Sequence, residues 1–221
     1  MVRFIVRFLF AGKADMASTS NFDERAKTWD LDPAKVERAL AVAGAIRTQV
    51  PLSTRMRALE YGCGTGLLGF ALQSDLGHID LADTSSGMLA VLNEKIEAAH
   101  AGNMRTMKLD LTVDSLPSQR YDLVFSMMAF HHIADIDRLL RSLHALFAAH
   151  GHLCVADLDA EDGSFHGAGF TGHNGFDRDD LKRRSIAAGF RNVRFSTAFH
   201  ITKNDSPGQT DFPIFLMVAE K

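Results

Sequence analysis

The sequence predicts an α/β fold, a seven-stranded, mostly parallel, doubly wound sheet whose last strand runs antiparallel. Three observations carry that reading. After Pro51, short apolar runs alternate with helical segments, the pattern of a parallel sheet covered on both faces. Gly77, Gly102, Gly151 and Gly189 stand just past the helical segments, where a residue able to take positive φ turns the chain into the next strand. The last two apolar runs follow one another without room for a helix, so they pair antiparallel.

The elements follow in order. Asp32-Pro33 supplies an N-cap with proline at the first helical position, and Val36, Leu40, Ala43, Ile46 and Val50 repeat at helical spacing until Pro51. Strands are expected at 56–61, 78–82, 104–109, 121–127, 151–158, 191–198 and 212–220. Helices are expected between them at 66–75, 87–101, 134–149 and 177–188. Residues 159–176 are polar and glycine-rich, and a loop of that length in a compact domain is usually functional or mobile.

Composition narrows the function classes. The 221 residues are 46% hydrophobic and 23% charged, an ordinary globular balance for one domain. A formal net charge of −3 gives no global pull toward nucleic acid or an anionic membrane. Cys63 and Cys154 lie far apart in apolar stretches, so neither a disulfide framework nor a metal cluster is expected, and a reducing, cytoplasmic compartment fits. The first thirteen residues are apolar and basic, but Arg7 interrupts a run already too short to span a bilayer. Met16 begins a more usual start. Residues 1–20 are therefore read as an extension and residues 21–221 as a single domain, with an amphipathic arm or an added strand as other readings of the N-terminus.

The strongest local signal is Ala58-Leu59-Glu60-Tyr61-Gly62-Cys63-Gly64-Thr65-Gly66-Leu67-Leu68-Gly69, a strand running through a glycine turn into a helix. Glycines let backbone pass close to a ligand, and N–H groups at the helix start favour an anionic group. A dinucleotide fingerprint would read G-x-G-x-x-G; here Leu67 takes the place of its third glycine, which argues against NAD. Glu60-Tyr61-Gly62-Cys63-Gly64-Thr65-Gly66 resembles the first motif of class I S-adenosylmethionine (SAM)-dependent methyltransferases, which have a Rossmann-like fold. The order of later segments agrees with it. Asp83-Thr84-Ser85-Ser86-Gly87-Met88-Leu89 is similar to the family segment whose acid binds both ribose hydroxyls, a task suited to a carboxylate that accepts two hydrogen bonds. Asp110-Leu111 matches the place that meets the adenine. Taken alone, either acid reads as a helix cap or solvated turn; spacing from the glycine turn makes each a ligand.

The resemblance implies SAM as cofactor and S-adenosylhomocysteine (SAH) as product. It implies cofactor contacts at Glu60, Gly62, Cys63, Gly64, Gly66, Asp83, Thr84, Met88, Asp110, Leu111 and Ser126. Tyr121-Asp122-Leu123-Val124-Phe125-Ser126 running into Phe130-His131-His132-Ile133 is similar to a segment of small-molecule methyltransferases, so Ser126 to Phe130 are expected at the junction of cofactor and acceptor. His131 and His132 are the first candidates for a general base, with His166 and His173 behind them; the histidine pair also reads as a cap for the next helix. Phe22 and Trp29 resemble an aromatic lid, where a ring beside a sulfonium gains a cation–π contact, and equally read as a buried anchor. The reaction is expected to be direct SN2 displacement, driven mainly by alignment.

Other readings rank lower. A nucleic-acid or protein methyltransferase is the nearest rival, but no proline-proline-aromatic tetrapeptide follows the fourth strand and no cysteine stands there, which disfavours methylation of flipped bases or amides; Lys182-Arg183-Arg184 reads as a solvated helix face. A non-catalytic binding module on the same fold is the alternative from another class, against which Gly62, Gly64, Gly66 and Asp83 are all present. No histidine–carboxylate group has H-E-x-x-H spacing, so no metal is expected. A small-molecule acceptor is, with neither nucleic acid nor a membrane span.

Overall fold

The computed structural model describes residues 22–206 and 208–221; the expected extension at 1–20 lies outside them. The described residues begin with helical residues 22–25, a short 3-10 turn, Ala26–Leu31, and helix α1, Pro33–Gln49. Asp32 caps α1 by accepting from the Ala34 N–H at 3.0 Å, and Ala39, Val42, Ala43 and Ile46 form its buried face. Then follow β1 (Arg57–Tyr61), α2 (Leu67–Leu72), β2 (His78–Asp83), α3 (Ser86–Ala98), β3 (Met104–Lys108) and β4 (Tyr121–Met127). Helix α4 (Ile136–Ala145), β5 (Phe147–Leu158), α5 (Arg178–Ala187), β6 (Arg191–Ser206) and β7 (Gly208–Glu220) complete the order. Ser85, Asp135 and Asp177 each accept from an N–H one turn ahead and so start α3, α4 and α5.

The seven strands form one sheet in the order β3-β2-β1-β4-β5-β7-β6. Pairings from β3 to β5 are parallel, while β7 runs antiparallel to both β5 and β6. One face packs Val42, Ile46, Leu68, Leu72, Phe125 and Leu216; the other packs Leu59, Val124, Leu139, Leu143, Phe147 and Phe215. Central strands are thus buried on both sides, which is why they read as continuous apolar runs. Strand order reverses between β1 and β4. Their two following loops diverge there and leave a crevice at the carboxyl ends of the strands.

Several boundaries differ from expectation. The helix expected over 134–149 stops at Ala145, and β5 begins at Phe147. Phe147 pairs with Tyr121 across a bulge and its ring meets Phe190 edge-on at 5.8 Å, so burial on the sheet outweighs helical continuation. Strands β6 and β7 extend well past the expected 191–198 and 212–220, because each is the other's partner out to the hairpin. Of the four punctuating glycines only Gly189 has positive φ. Gly77 and Gly151 are required by close packing instead: a Cβ would fall 2.2 Å from the Thr54 carbonyl oxygen and 2.3 Å from the Phe147 ring, respectively. At Gly102 nothing lies within 4 Å, and the left-handed residue after α3 is His100.

Across β2 and β3, fully buried Asp80 faces Arg105 in register. Its Oδ1 accepts from Arg105 at 2.8 Å and its Oδ2 from the Tyr121 hydroxyl at 3.0 Å, tying three strands at the end of the sheet away from the crevice. No helix among the described residues is long and apolar enough to cross a membrane. Removing one member of a buried charged group leaves the others uncompensated. Asp80→Ala is therefore expected to lower stability by about 3 kcal/mol, read as a shifted urea midpoint; an unshifted midpoint contradicts this role.

Candidate functional site

The site is built from the ends of four strands. Where β1 ends, Gly62, Gly64 and Gly66 take φ of +71°, +53° and +78°, a run of left-handed turns that side-chain-bearing residues resist. A Cβ on Gly62 would stand 2.4 Å from the Ala129 Cβ, and one on Gly66 2.5 Å from Leu92. On Gly64 the nearest atom would be the Met88 sulfur at 4.0 Å, so this residue leaves bare backbone facing open space. The Gly62 and Cys63 N–H groups donate to the Ala82 carbonyl, and that of Gly64 to Asp83 Oδ2 at 2.7 Å. Asp83 Oδ1 accepts from Ser85 N–H. The glycine turn and the acid after β2 are therefore one hydrogen-bonded unit.

This unit borders a cavity of about 360 Å³. Glu60, Gly62, Cys63, Gly64, Asp83, Thr84, Met88, Asp110 and His132 line it, joined by Met127, Met128 and Ala129 from the loop after β4. Gly66, Leu111, Ser126 and His131 stand behind the wall. Leu111 is buried with its N–H donating to the Tyr61 hydroxyl, and Leu109 lines the cavity in that region. Ser126 is buried in β4, its Oγ without a partner among the described residues.

Charge inside the cavity is poorly compensated. Glu60 is 2% exposed, and its Oε2 has no partner; burial pushes its pKa up to about 8, the Gly69 N–H working against this. Burial also raises Asp83, opposed by the N–H groups of Ser85, Gly64 and Thr84. Arg38, on the inner side of α1, lines the same cavity with its Nε buried and unpartnered; burial lowers its pKa, against Asp32 and Asp157. An unpartnered carboxylate oxygen and an unpartnered guanidinium nitrogen in one cavity suit a ligand that brings both a cation and an anion.

The segment before α1 is fastened across the opening. Asp23 accepts from the Ser85 hydroxyl at 2.5 Å and the Gly87 N–H at 2.7 Å, and Asp30 from Thr65 Oγ1 at 2.5 Å and Lys95 Nζ at 2.6 Å. Between these ties, Phe22 meets Trp29 edge-on at 5.8 Å and His132 at 5.2 Å. Trp29 is half-buried under Lys35, whose Nζ lies 4.3 Å from the ring centre. Both aromatic rings line the cavity.

At the other end, His131 Nδ1 lies 2.6 Å from Asp157 Oδ1, with the two side chains 1% and 0% exposed. Burial raises Asp157, but the charge and hydrogen bond of His131, aided by N–H groups of Leu158 and His131, outweigh it and hold the carboxyl below its usual value. The loop over 159–176 closes this end: His173 N–H donates to the His131 carbonyl at 2.7 Å, and His166 brings its ring to 4.9 Å from His131 and 5.5 Å from His132. Burial pushes His132 down to about 3 and His166 to about 4.

Sequence reasoning did not single out Arg38, Asp23, Asp30 or Lys95, because each sits in a stretch that reads as a solvated helix face or turn. His166 was ranked behind the adjacent pair, since only the closed loop brings it to them.

Residues 58–151 match the model of a methyltransferase domain. An uncharacterized methyltransferase of Schizosaccharomyces pombe is 32% identical over 164 residues, covering 67% of this chain and 56% of its own length. A SAM-dependent methyltransferase from Aquifex aeolicus superposes with a TM-score of 0.67 at 17% identity, over 90% of this chain and 97% of its own. The chain carries a methyltransferase domain on the fold of SAM-dependent methyltransferases. A malonyl-[acyl-carrier protein] O-methyltransferase of Ilyobacter polytropus is 30% identical over 138 residues, covering 62% of this chain and 50% of its own length. The chain thus spans about half the length of these two curated relatives.

The ammonium of the SAM methionine is a cation of the kind that Glu60 lacks. With its pKa near 8, Glu60 is mostly protonated at pH 7 before binding, and an adjacent cation favours the ionised form. SAH, which keeps that ammonium, is expected to release close to one proton on binding at pH 7, and less as the pH rises through about 8 and Glu60 ionises before binding. Calorimetry in buffers of different ionisation enthalpy reads the number. Glu60→Gln should abolish the release; release unchanged in that variant contradicts the assignment.

Proposed function

We propose that this chain transfers the methyl group of SAM to a small-molecule acceptor by direct SN2 displacement. The observation that carries the proposal is the presence of unpartnered Glu60 Oε2 and Arg38 Nε in one cavity with the Gly62–Gly66 turn and Asp83. In this reading Glu60 takes the methionine ammonium and Arg38 its carboxylate. Asp83, whose two oxygens already accept from Gly64 and Ser85 N–H groups, has lone pairs left for the ribose hydroxyls. Thr84 and Met88 border the ribose, Asp110 and Leu111 the adenine, and the bare backbone of Gly64 admits the cofactor's close approach. Gly62, Cys63 and Gly66 shape the turn, and Ser126 supports the wall beside the methionine.

When bound, SAM supplies a methyl group on a sulfonium, already poised to leave. The protein's contribution is alignment and exclusion of water, which together account for much of the barrier reduction in such reactions. Phe22 and Trp29 cover the cavity, and Asp23 and Asp30 hold their segment down. His132, which lines the cavity, faces the acceptor, and His131 fixes its neighbour's backbone through the Asp157 pair. These two histidines are the acceptor-side residues of the reading. The segment bearing Phe22 and Trp29 narrows the opening of the cavity, which supports a metabolite-sized acceptor. A cytoplasmic setting accords with two buried free thiols.

Calorimetric titration with SAH tests the cofactor half: one site of micromolar affinity is expected, weakened at least about tenfold in Asp83→Ala by loss of two charge-assisted hydrogen bonds. Equal affinity in a folded Asp83→Ala variant overturns the ribose assignment. Methyl-labelled SAM with a panel of hydroxylated and carboxylated metabolites tests the transfer. His132→Ala is expected to lower turnover at least about a hundredfold, the scale of a positioned acid–base or acceptor-orienting side chain, with SAH affinity retained; undiminished turnover removes His132 from the reaction.

A further inference from the structure

Three histidines from two separate segments converge where the loop over 159–176 meets the end of β4. One ring nitrogen each of His131, His132 and His166 lies within 4.8 Å of the other two. Ring centres of His131 and His132 are 4.2 Å apart. His131 is oriented by a buried carboxylate: its Nδ1 is committed to Asp157 Oδ1, which leaves Nε2 as its outward atom. Among the described residues, no side-chain or backbone hydrogen bond occupies the ring nitrogens of His132 or His166. Three imidazoles drawn together without such partners, one of them held by an aspartate, match the ligand set and supporting carboxylate of three-histidine metal sites.

We infer that His131, His132 and His166 form a binding site for a divalent metal ion of the zinc class, at the acceptor end of the cavity. Zinc–nitrogen bonds of 2.0–2.1 Å place tetrahedral ligands about 3.4 Å apart, so the rings must draw closer than they stand. His166 can supply that movement: it is exposed and stacked on Phe170 at 3.9 Å, on a loop rather than in the sheet. Burial favours the uncharged form of both His132 and His166, and the neutral form is the one that ligates. Imidazole ligands suit zinc, copper, nickel and cobalt better than magnesium or calcium. His132 lines the cavity, so the fourth position of the ion opens toward the acceptor, where a metal polarises a bound oxygen. That consequence rests on the methyl-transfer reading; the binding of the ion does not.

Chelator-stripped full-length protein titrated with Co²⁺ tests the site. Expected are visible d–d bands of a four-coordinate ion saturating at one equivalent, bleached by Zn²⁺. His166→Ala should weaken Co²⁺ binding at least about tenfold while SAH affinity stays within about twofold of the parent, and His173→Ala should leave the bands unchanged. Should His166→Ala lose SAH binding as well, His166→Cys decides: restored binding with a thiolate-to-cobalt charge-transfer band supports the site, and its absence overturns it. No stoichiometric cobalt spectrum, or one indifferent to His166→Ala, also overturns the inference. Loss of SAH binding by the parent protein would strike the cofactor reading and leave the metal result standing.

Discussion

A buried carboxylate and a half-buried guanidinium, each with an atom left unpartnered in one cavity, are the constraint on which this molecule's organisation turns. Leaving a polar group unsatisfied costs about 1–3 kcal/mol, and more when it is charged. Glu60 Oε2 and Arg38 Nε carry that cost, and keeping Glu60 mostly protonated near neutral pH lowers it. Such an arrangement stores binding energy for a zwitterion. A ligand bringing an ammonium and a carboxylate at the right separation satisfies both groups at once.

The fold explains why the two charges share a cavity. Glu60 lies on β1, beside the point where strand order reverses, and Arg38 lies on α1, which packs on α2 and on β6 and β7. Gly62 must lack a side chain because Ala129, from the loop after β4, stands where its Cβ would be. The two diverging loops touch there and open immediately beyond. Two salt-bridged or hydrogen-bonded acids, Asp23 and Asp30, then carry the N-terminal segment across the opening, so the cavity and the segment over it are coupled through the start and last turn of α3.

The sheet was legible because its strands are buried on both faces and its helices carry caps at their first residues. The antiparallel end was legible because no helix fits between the last two apolar runs. Boundaries were lost where tertiary contacts overrode local preference, as at Phe147, which leaves a helical pattern to pack against Phe190. Within the site, the glycine turn and Asp83 announce themselves by spacing along the chain. Arg38 and Asp30 do not, since a charged residue on a helix or in a turn reads as solvated until a neighbour covers it. His166 is further still: its approach to His131 and His132 depends on how the loop over 159–176 folds back, tied by His173 and Phe176 backbone bonds, and no short motif encodes that return.

The most direct test is a crystal structure of the protein with SAH. The account predicts the methionine carboxylate on the Arg38 guanidinium, the ammonium beside Glu60 and the ribose hydroxyls on Asp83. SAH bound in the cavity with Arg38 and Glu60 still unpartnered, or bound elsewhere, would contradict it.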